Sequence, residues 1–280
     1  MTNEQLAELW ANIQKRLDQS KPEWRDLIIH YKQVTAIESR ARGKGWSDVE
    51  VFESLVRSVL SNSTDWAKIE KVLPGLSACF HGFDPHWYSA LEPPEVEERF
   101  QWFKRQSAAS MTLRRDLRQL VNAAKKLCAL SQSEGSLESY FASLYHQSGR
   151  DPKRMAMALG STKGTNKLPT LGIPLAAEFL KNLGYDVSKP DRHIVRAVGS
   201  FGWVAFAKWP SREGRKHPAA SEGELLAAMS AMERFGRGVG VLTAYVDNAV
   251  WLICAKSGIK LSNAQLAALA APYARAASPA

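Results

Sequence analysis

Two neighbouring stretches carry residue types at spacings that could do chemistry: LPTLGIPLAAEFLKNLG from Leu168, and KPDRHIVRA from Lys189. The first sets a tight, glycine-containing turn before a helical pattern with a proline near its start. Backbone N–H groups at such a helix start can hold a phosphate without reading a base. Thr170, Leu171 and Gly172 occupy that turn, and a glycine there permits close approach of a ligand. Lys167 just upstream, with Arg192 and Arg196 further along, adds positive charge near the same surface. The second stretch puts Asp191 ahead of Ile194, Val195 and Val198, the position of a helix N-cap. Helix N–H groups and the helix dipole keep a carboxylate ionised there. Taken alone, Asp191 reads more readily as a plain cap, and His193 as a group that packs or orients a neighbour rather than as a base.

The 280 residues amount to about two domains. At 45% apolar and 23% charged residues the chain can build a core, which excludes wholesale disorder and a small stapled scaffold. Lys plus Arg number 37 against 28 Asp plus Glu, a net charge of +9 that favours a polyanionic partner, nucleic acid first. Cys79, Cys128 and Cys254 are too far apart for a zinc or iron–sulfur frame and read as buried thiols. Glu4 and Glu8 stand where a signal peptide would need basic residues, and no apolar run approaches the roughly 18 residues of a membrane span. A cytoplasmic location without a membrane partner is expected.

The segments around the two stretches read almost entirely with helical period. Val51, Phe52, Leu55, Val56, Val59 and Leu60 form one face behind a Ser47–Glu50 capping box. A polar break at 61–65 separates them from Trp66, Ile69, Val72 and Leu73. Further helices are expected over Leu113–Leu130 and Leu137–Tyr145, and from Pro152 behind Asp151. Leu175, Phe179, Leu180 and Leu183 make the apolar face of the helix after the turn, with Gly184 a ready left-handed cap. Leu225–Phe235 and Val239–Ala255 complete the set, while the basic run 212–216 reads as a solvated loop. Strand-like alternation is nearly absent, so the fold class is all-α.

In this order, the motifs resemble the helix–hairpin–helix DNA glycosylase superfamily. Its hairpin reads approximately Leu-Pro-Gly-x-Gly-x-x-x-Ala, followed by an Asp near a His. Leu168, Pro169, Gly172 and Ala176 match the hairpin, and Asp191 with His193 matches the Asp-x-His pattern. The upstream LVRSVLSNSTDW is similar to the superfamily's helix and polar turn that sends a side chain into the DNA stack, with Asn62 its counterpart. The resemblance spans 52–198. It implies a two-lobed helical fold, with one lobe over 51–185 ending in the hairpin and a second lobe of 1–50 plus 186–280 carrying Asp191.

The implied activity is excision of a damaged base from duplex DNA, in base excision repair. The nucleotide is flipped out, Asn62 fills the gap, Trp46 and Trp66 flank the base pocket, and Asp191 assists water attack at C1′. The partner is duplex DNA bearing a damaged base, and a monomer is expected. Three departures from the pattern shape this expectation. Thr170 replaces the first hairpin glycine, a change expected to alter the turn. Pro174 stands where bifunctional members carry a Schiff-base lysine, which predicts no strand cleavage from that site. The cysteine quartet of the iron–sulfur branch and the zinc set of the bacterial 3-methyladenine glycosylase I branch are missing, as is that second branch's early acid, whose position falls near Ser58. No redox cofactor or catalytic metal is therefore expected. The resemblance does imply a structural monovalent cation at hairpin carbonyls near Leu168 and Leu171. Alkylated purines are the favoured substrate class, because a cationic base leaves readily. 8-Oxoguanine is less favoured, since its familiar excisers in the superfamily use the missing lysine. The reading from another class is a non-catalytic DNA-binding module whose Asp191 merely caps.

Overall fold

The computed structural model describes residues 1–62, 66–208, 219–255 and 258–274. Residues 63–65 of the polar break, the basic run 212–216 and the side chain of Trp66 lie outside the described residues. Among the described residues there are sixteen α-helices, one 3₁₀ turn and no strand, so the chain is all-α.

The helices form two units, one of Met1–Ser39 with Gly184–Ala280 and the other of Arg40–Leu183. The first begins with α1 (Asn3–Ser20), α2 (Trp24–His30) and α3 (Gln33–Ala41), the last two residues of α3 falling in the second unit. A Thr2–Gln5 capping box starts α1. The apolar face of α1 (Leu9, Trp10, Ile13 and Leu17) is buried, and Trp10 meets Trp24, Phe235 and Tyr245 edge-on at 6.3, 6.0 and 6.2 Å.

Residues 40–50 lie in the unit that carries the hairpin, for a specific reason. The Arg40 guanidinium makes a two-pronged ion pair with Glu138 at 2.6 and 3.0 Å and donates to the Leu183 carbonyl at 2.6 Å. Glu138 also accepts the Trp46 amide at 3.1 Å, so one carboxylate holds the segment from both ends. α4 (Asp48–Leu60) follows, started by the Ser47–Glu50 capping box and burying Val51, Phe52, Leu55, Val56, Val59 and Leu60. The short α5 (Trp66–Glu70), α6 (Leu73–Cys79), α7 (Pro85–Ser89) and the longer α8 (Pro93–Arg105) lead to α9 (Leu113–Glu134). α9 stops at Gly135 in the left-handed region, φ 81°. α10 (Leu137–Gln147), α11 (Pro152–Gly160) and α12 (Ile173–Asn182) complete the unit, α10 and α11 capped by Ser136 and Asp151. Asp48 accepts bonds from the Ser131 hydroxyl and the Leu137 amide, tying the start of α4 to α9 and α10. Asn182 donates to the Ser58 hydroxyl at 3.1 Å, seating α12 on α4.

The first unit resumes after Gly184, whose φ of 80° supplies the left-handed residue anticipated beyond α12. It contains α13 (Arg192–Ser200), α14 (Glu222–Gly238), α15 (Thr243–Ala255) and α16 (Asn263–Ala274). α15 is almost wholly buried, as befits a helix that is apolar on nearly every side. No single helix among the described residues is long and apolar enough to cross a membrane; α14 and α15 pass that test only as a pair, bent by 109°.

Candidate functional site

The hairpin joins α11 to α12 through 161–172, and glycine makes its closest approach possible. A Cβ on Gly160 would lie 2.5 Å from the Ile173 Cα and 2.6 Å from its nitrogen. The end of α11 therefore rests directly on the first residue of α12. Leu168 donates its amide to the Leu159 carbonyl at 3.0 Å, and Leu171 donates to the Leu168 carbonyl at 3.3 Å, closing a turn around Pro169 and Thr170. Thr170 takes a φ of 69°, the left-handed conformation that glycine adopts freely and that costs an ordinary residue roughly 1–2 kcal/mol. The threonine therefore does not change the turn into another form, because the buried Leu168 and Leu171 on either side hold its ends.

Gly172 is the N-cap of α12, exposed and extended, with no side chain capping the helix. A Cβ there would meet only the Pro174 ring, at 3.9 Å. Nothing inside the protein demands glycine at 172, whereas backbone fills the space at 160. The first amides of α12 are left to an outside acceptor.

Of the cations assigned to the phosphate surface, two point inward. The Lys167 ammonium donates to the carbonyls of Gly160, at 2.8 Å, and Leu171. Arg196 donates to the carbonyls of Cys254 and Leu261, each at 2.7 Å, and to the Asn263 side chain at 3.2 Å. Both expectations are corrected by one physical fact: carbonyls left over at helix ends and turns recruit the nearest multi-donor cation. Arg192 stays exposed, with its Nε donating to the His193 ring at 3.1 Å.

The other residues singled out are also engaged within the protein. Asn62 donates its amide to Asp116 at 2.9 Å, fastening the end of α4 to α9. Trp46 is buried, with the Arg40 guanidinium 4.5 Å and the Lys44 ammonium 5.0 Å from its ring centre. Burial and the two cations against its ring leave Trp46 little surface for a base, which corrects its assignment to the pocket.

Asp191 caps α13 as the sequence suggests. Its Oδ1 accepts the amides of His193 at 2.7 Å and Ile194 at 3.1 Å. The side chain is half-buried, and among the described residues Oδ2 accepts no hydrogen bond. The loop carrying it is clamped to α15 by two carboxylates the sequence reading missed. Asp186 caps α15 by accepting the amides of Thr243 and Ala244 at 3.0 and 2.8 Å. Asp247, 2% exposed, accepts the Ser188 hydroxyl at 2.6 Å and the Lys189 amide at 3.2 Å. A charged residue inside the apolar stripe from Val246 to Val250 was the available signal, since buried charges are rare unless paired.

Aromatic rings do lie beside Asp191, though not the anticipated ones. His193 meets Trp251 edge-on at 6.3 Å, and Trp251 meets Tyr31 at 6.4 Å, all three half-buried. Burial holds the His193 pKa below its ordinary value despite the pull of Asp191, and Arg192, Arg196 and Lys260 push the same way as burial. Its Nε2 accepts from Arg192, as a neutral ring can. Burial pushes the thiol of Cys254 up to about 12 and that of Cys79, only half-buried, to about 11, so neither is a thiolate nucleophile. Among the described residues no group of three His, Cys, Asp or Glu could hold a metal ion.

No protein-family model matches the chain, and no curated protein does. Two solved structures from Methanocaldococcus jannaschii are similar in fold. One is an 8-oxoguanine glycosylase/lyase in complex with a 15mer DNA containing 8-oxoguanine, with a TM-score of 0.56 and 18% identity over 88% of this chain and 97% of that one. The other is an 8-oxoguanine DNA glycosylase, with a TM-score of 0.56 and 18% identity over 90% and 97%. The chain shares the all-α fold of these two structures.

The two hairpin glycines differ in what surrounds them. Gly160→Ala should destabilise the protein by about 1–3 kcal/mol, the cost of overpacking, in chemical denaturation. Gly172→Ala should stay within about 0.5 kcal/mol of wild type in the same measurement. His193 gives a pH signature. Its folded pKa lies below the ordinary 6.5, so the unfolded chain binds the extra proton first. The stabilising contribution is complete above about pH 6.5 and lost as pH falls below it. Thermal denaturation between about pH 5 and 7 should therefore show a shallower pH slope in His193→Gln than in wild type.

Proposed function

We propose that the protein is a monomeric DNA N-glycosylase that removes a damaged base from duplex DNA in base excision repair. The observation that carries this reading is the division of labour within one carboxylate. Oδ1 of Asp191 is fixed by two amides of α13, and among the described residues Oδ2 accepts no hydrogen bond in its half-buried position. The glycosylase fold of the chain supports it.

In this reading the uncapped start of α12 holds the phosphate backbone, and the net charge of +9 favours the polyanion. The target nucleotide is turned out of the stack, and its base lies against the Trp251, His193 and Tyr31 rings. As the C1′–N bond lengthens, its electron pair moves to the base and positive charge builds on the sugar. Oδ2 of Asp191 stabilises that charge and orients a water, whose oxygen then bonds to C1′ and whose proton passes to the carboxylate or solvent. An alkylated, cationic purine departs neutral without needing a proton, which keeps it the favoured substrate. The similarity to two 8-oxoguanine enzymes favours 8-oxoguanine as a second reading.

The reaction stops at the abasic site. Pro174 has no amine, and Lys181 of the same helix is 1% exposed with Glu178 at 3.7 Å, an enclosed ammonium rather than a free nucleophile.

Duplexes each bearing one modified base, alkylated purines and 8-oxoguanine among them, test the reading by assay of the released base. Asp191→Asn keeps the cap and removes the charge. It should slow release by about 10²–10³-fold, as loss of an electrostatic stabiliser does, with duplex binding unchanged. An undiminished rate would leave Asp191 a cap and the chain a binding module. Borohydride added during turnover should trap no protein–DNA adduct, and efficient trapping would reveal a lyase working through another amine.

A further inference from the structure

The resemblance to the helix–hairpin–helix glycosylases implies a monovalent metal ion at the hairpin carbonyls, and the residues present do not fit one. The Leu171 carbonyl, one of those the resemblance implies for the ion, accepts the Lys167 ammonium. The same ammonium takes the carbonyl of Gly160, the last residue of α11, at 2.8 Å. Of the remaining hairpin carbonyls, that of Leu168 accepts the Leu171 amide, and that of Lys167 accepts the Lys126 ammonium at 2.8 Å. A metal ion would have to displace a tethered positive charge from the same oxygens.

We propose that Lys167 is the hairpin's built-in cation, so that this chain grips the DNA backbone without a bound metal ion. This inference rests on the hairpin holding phosphate, as above. The Lys167 side chain leaves the loop and returns to it, joining the end of α11 to the residue before the α12 N-cap. Such a link needs no ion from solution, because its cation is present at the effective concentration of a tethered group. The position has an electronic consequence as well. The Leu171 carbonyl and the Gly172 amide belong to one peptide unit, so a charge-assisted bond to the oxygen polarises the unit and strengthens the N–H as a donor. Gly172 is the exposed N-cap of α12, where that donor would meet a phosphate. Lys167 is thus a positioning residue that acts through Gly172 and touches no DNA itself.

The test compares thermal stability and binding to undamaged duplex in KCl, NaCl and tetramethylammonium chloride at equal ionic strength. Wild type should show the same melting temperature in the three salts, and affinities within about twofold of one another. Lys167→Met keeps the apolar stem and removes the ammonium. It should bind duplex roughly tenfold more weakly, the change expected on losing a hydrogen bond to a charged group, and its melting temperature should become higher in KCl or NaCl than in tetramethylammonium chloride as the vacated carbonyls take up metal. A wild type that needs potassium or sodium to hold its melting temperature would overturn the proposal, and so would a Lys167→Met protein equal to wild type in stability and affinity. The wild-type salt comparison decides even if the variant does not fold. Should wild type bind no duplex at all, the functional reading fails, while the melting temperatures still decide the identity of the cation.

Discussion

One oxygen of Asp191 is bound by two amide hydrogens of α13, and the chemistry proposed for this protein depends on that fixation. A carboxylate free to rotate would be a diffuse counter-charge in a half-solvated place. Held by the amides of His193 and Ile194, it presents Oδ2 in one direction. The neutral His193 beside it adds no competing positive charge. The loop that delivers it is set by α15, through the Asp186 cap and the buried Asp247. Two acids thus serve structure so that a third can remain uncommitted.

The basic surplus of the chain does not translate residue by residue into a DNA-facing surface. Lys167 and Arg196 lie at the right places in sequence to meet phosphate, yet each satisfies backbone carbonyls within its own unit. The carbonyls at a helix C-terminus carry partial negative charge and lack intrahelical donors, so a long cationic side chain within reach is drawn to them. What remains exposed is an uncapped helix start at Gly172 in one unit and the guanidinium of Arg192 in the other. In the proposed function the first positions a backbone without selecting a base.

The hairpin shows how a turn survives a substitution in its motif. Thr170 stands where glycine is usual, and it adopts the positive φ that glycine would. The buried leucines on either side, the contact of Gly160 with Ile173 and the internal ammonium together outweigh the local strain. A motif letter can change while the backbone path persists, provided the surroundings over-determine it.

How much was legible in the sequence follows from the range of the forces involved. Helical period, the capping box at Ser47, the Asp191 cap and the turn before Pro174 are set by residues within a few positions of each other. Local pattern therefore determined the all-α class, the order of helices around the hairpin and the candidate acid. The roles of individual side chains were decided by residues far away in the chain. Trp46 lies beneath Arg40 and is held through Glu138, Asn62 is tied to Asp116, and Arg196 reaches the end of α15. The half-buried rings beside Asp191 are Trp251 and Tyr31, brought there from opposite ends of the sequence. Sequence alone specified the backbone scaffold because helix propensity and capping are short-range. Only the tertiary structure settled which charges and rings stay available, because hydrogen-bond partners and burial are properties of packing between distant segments.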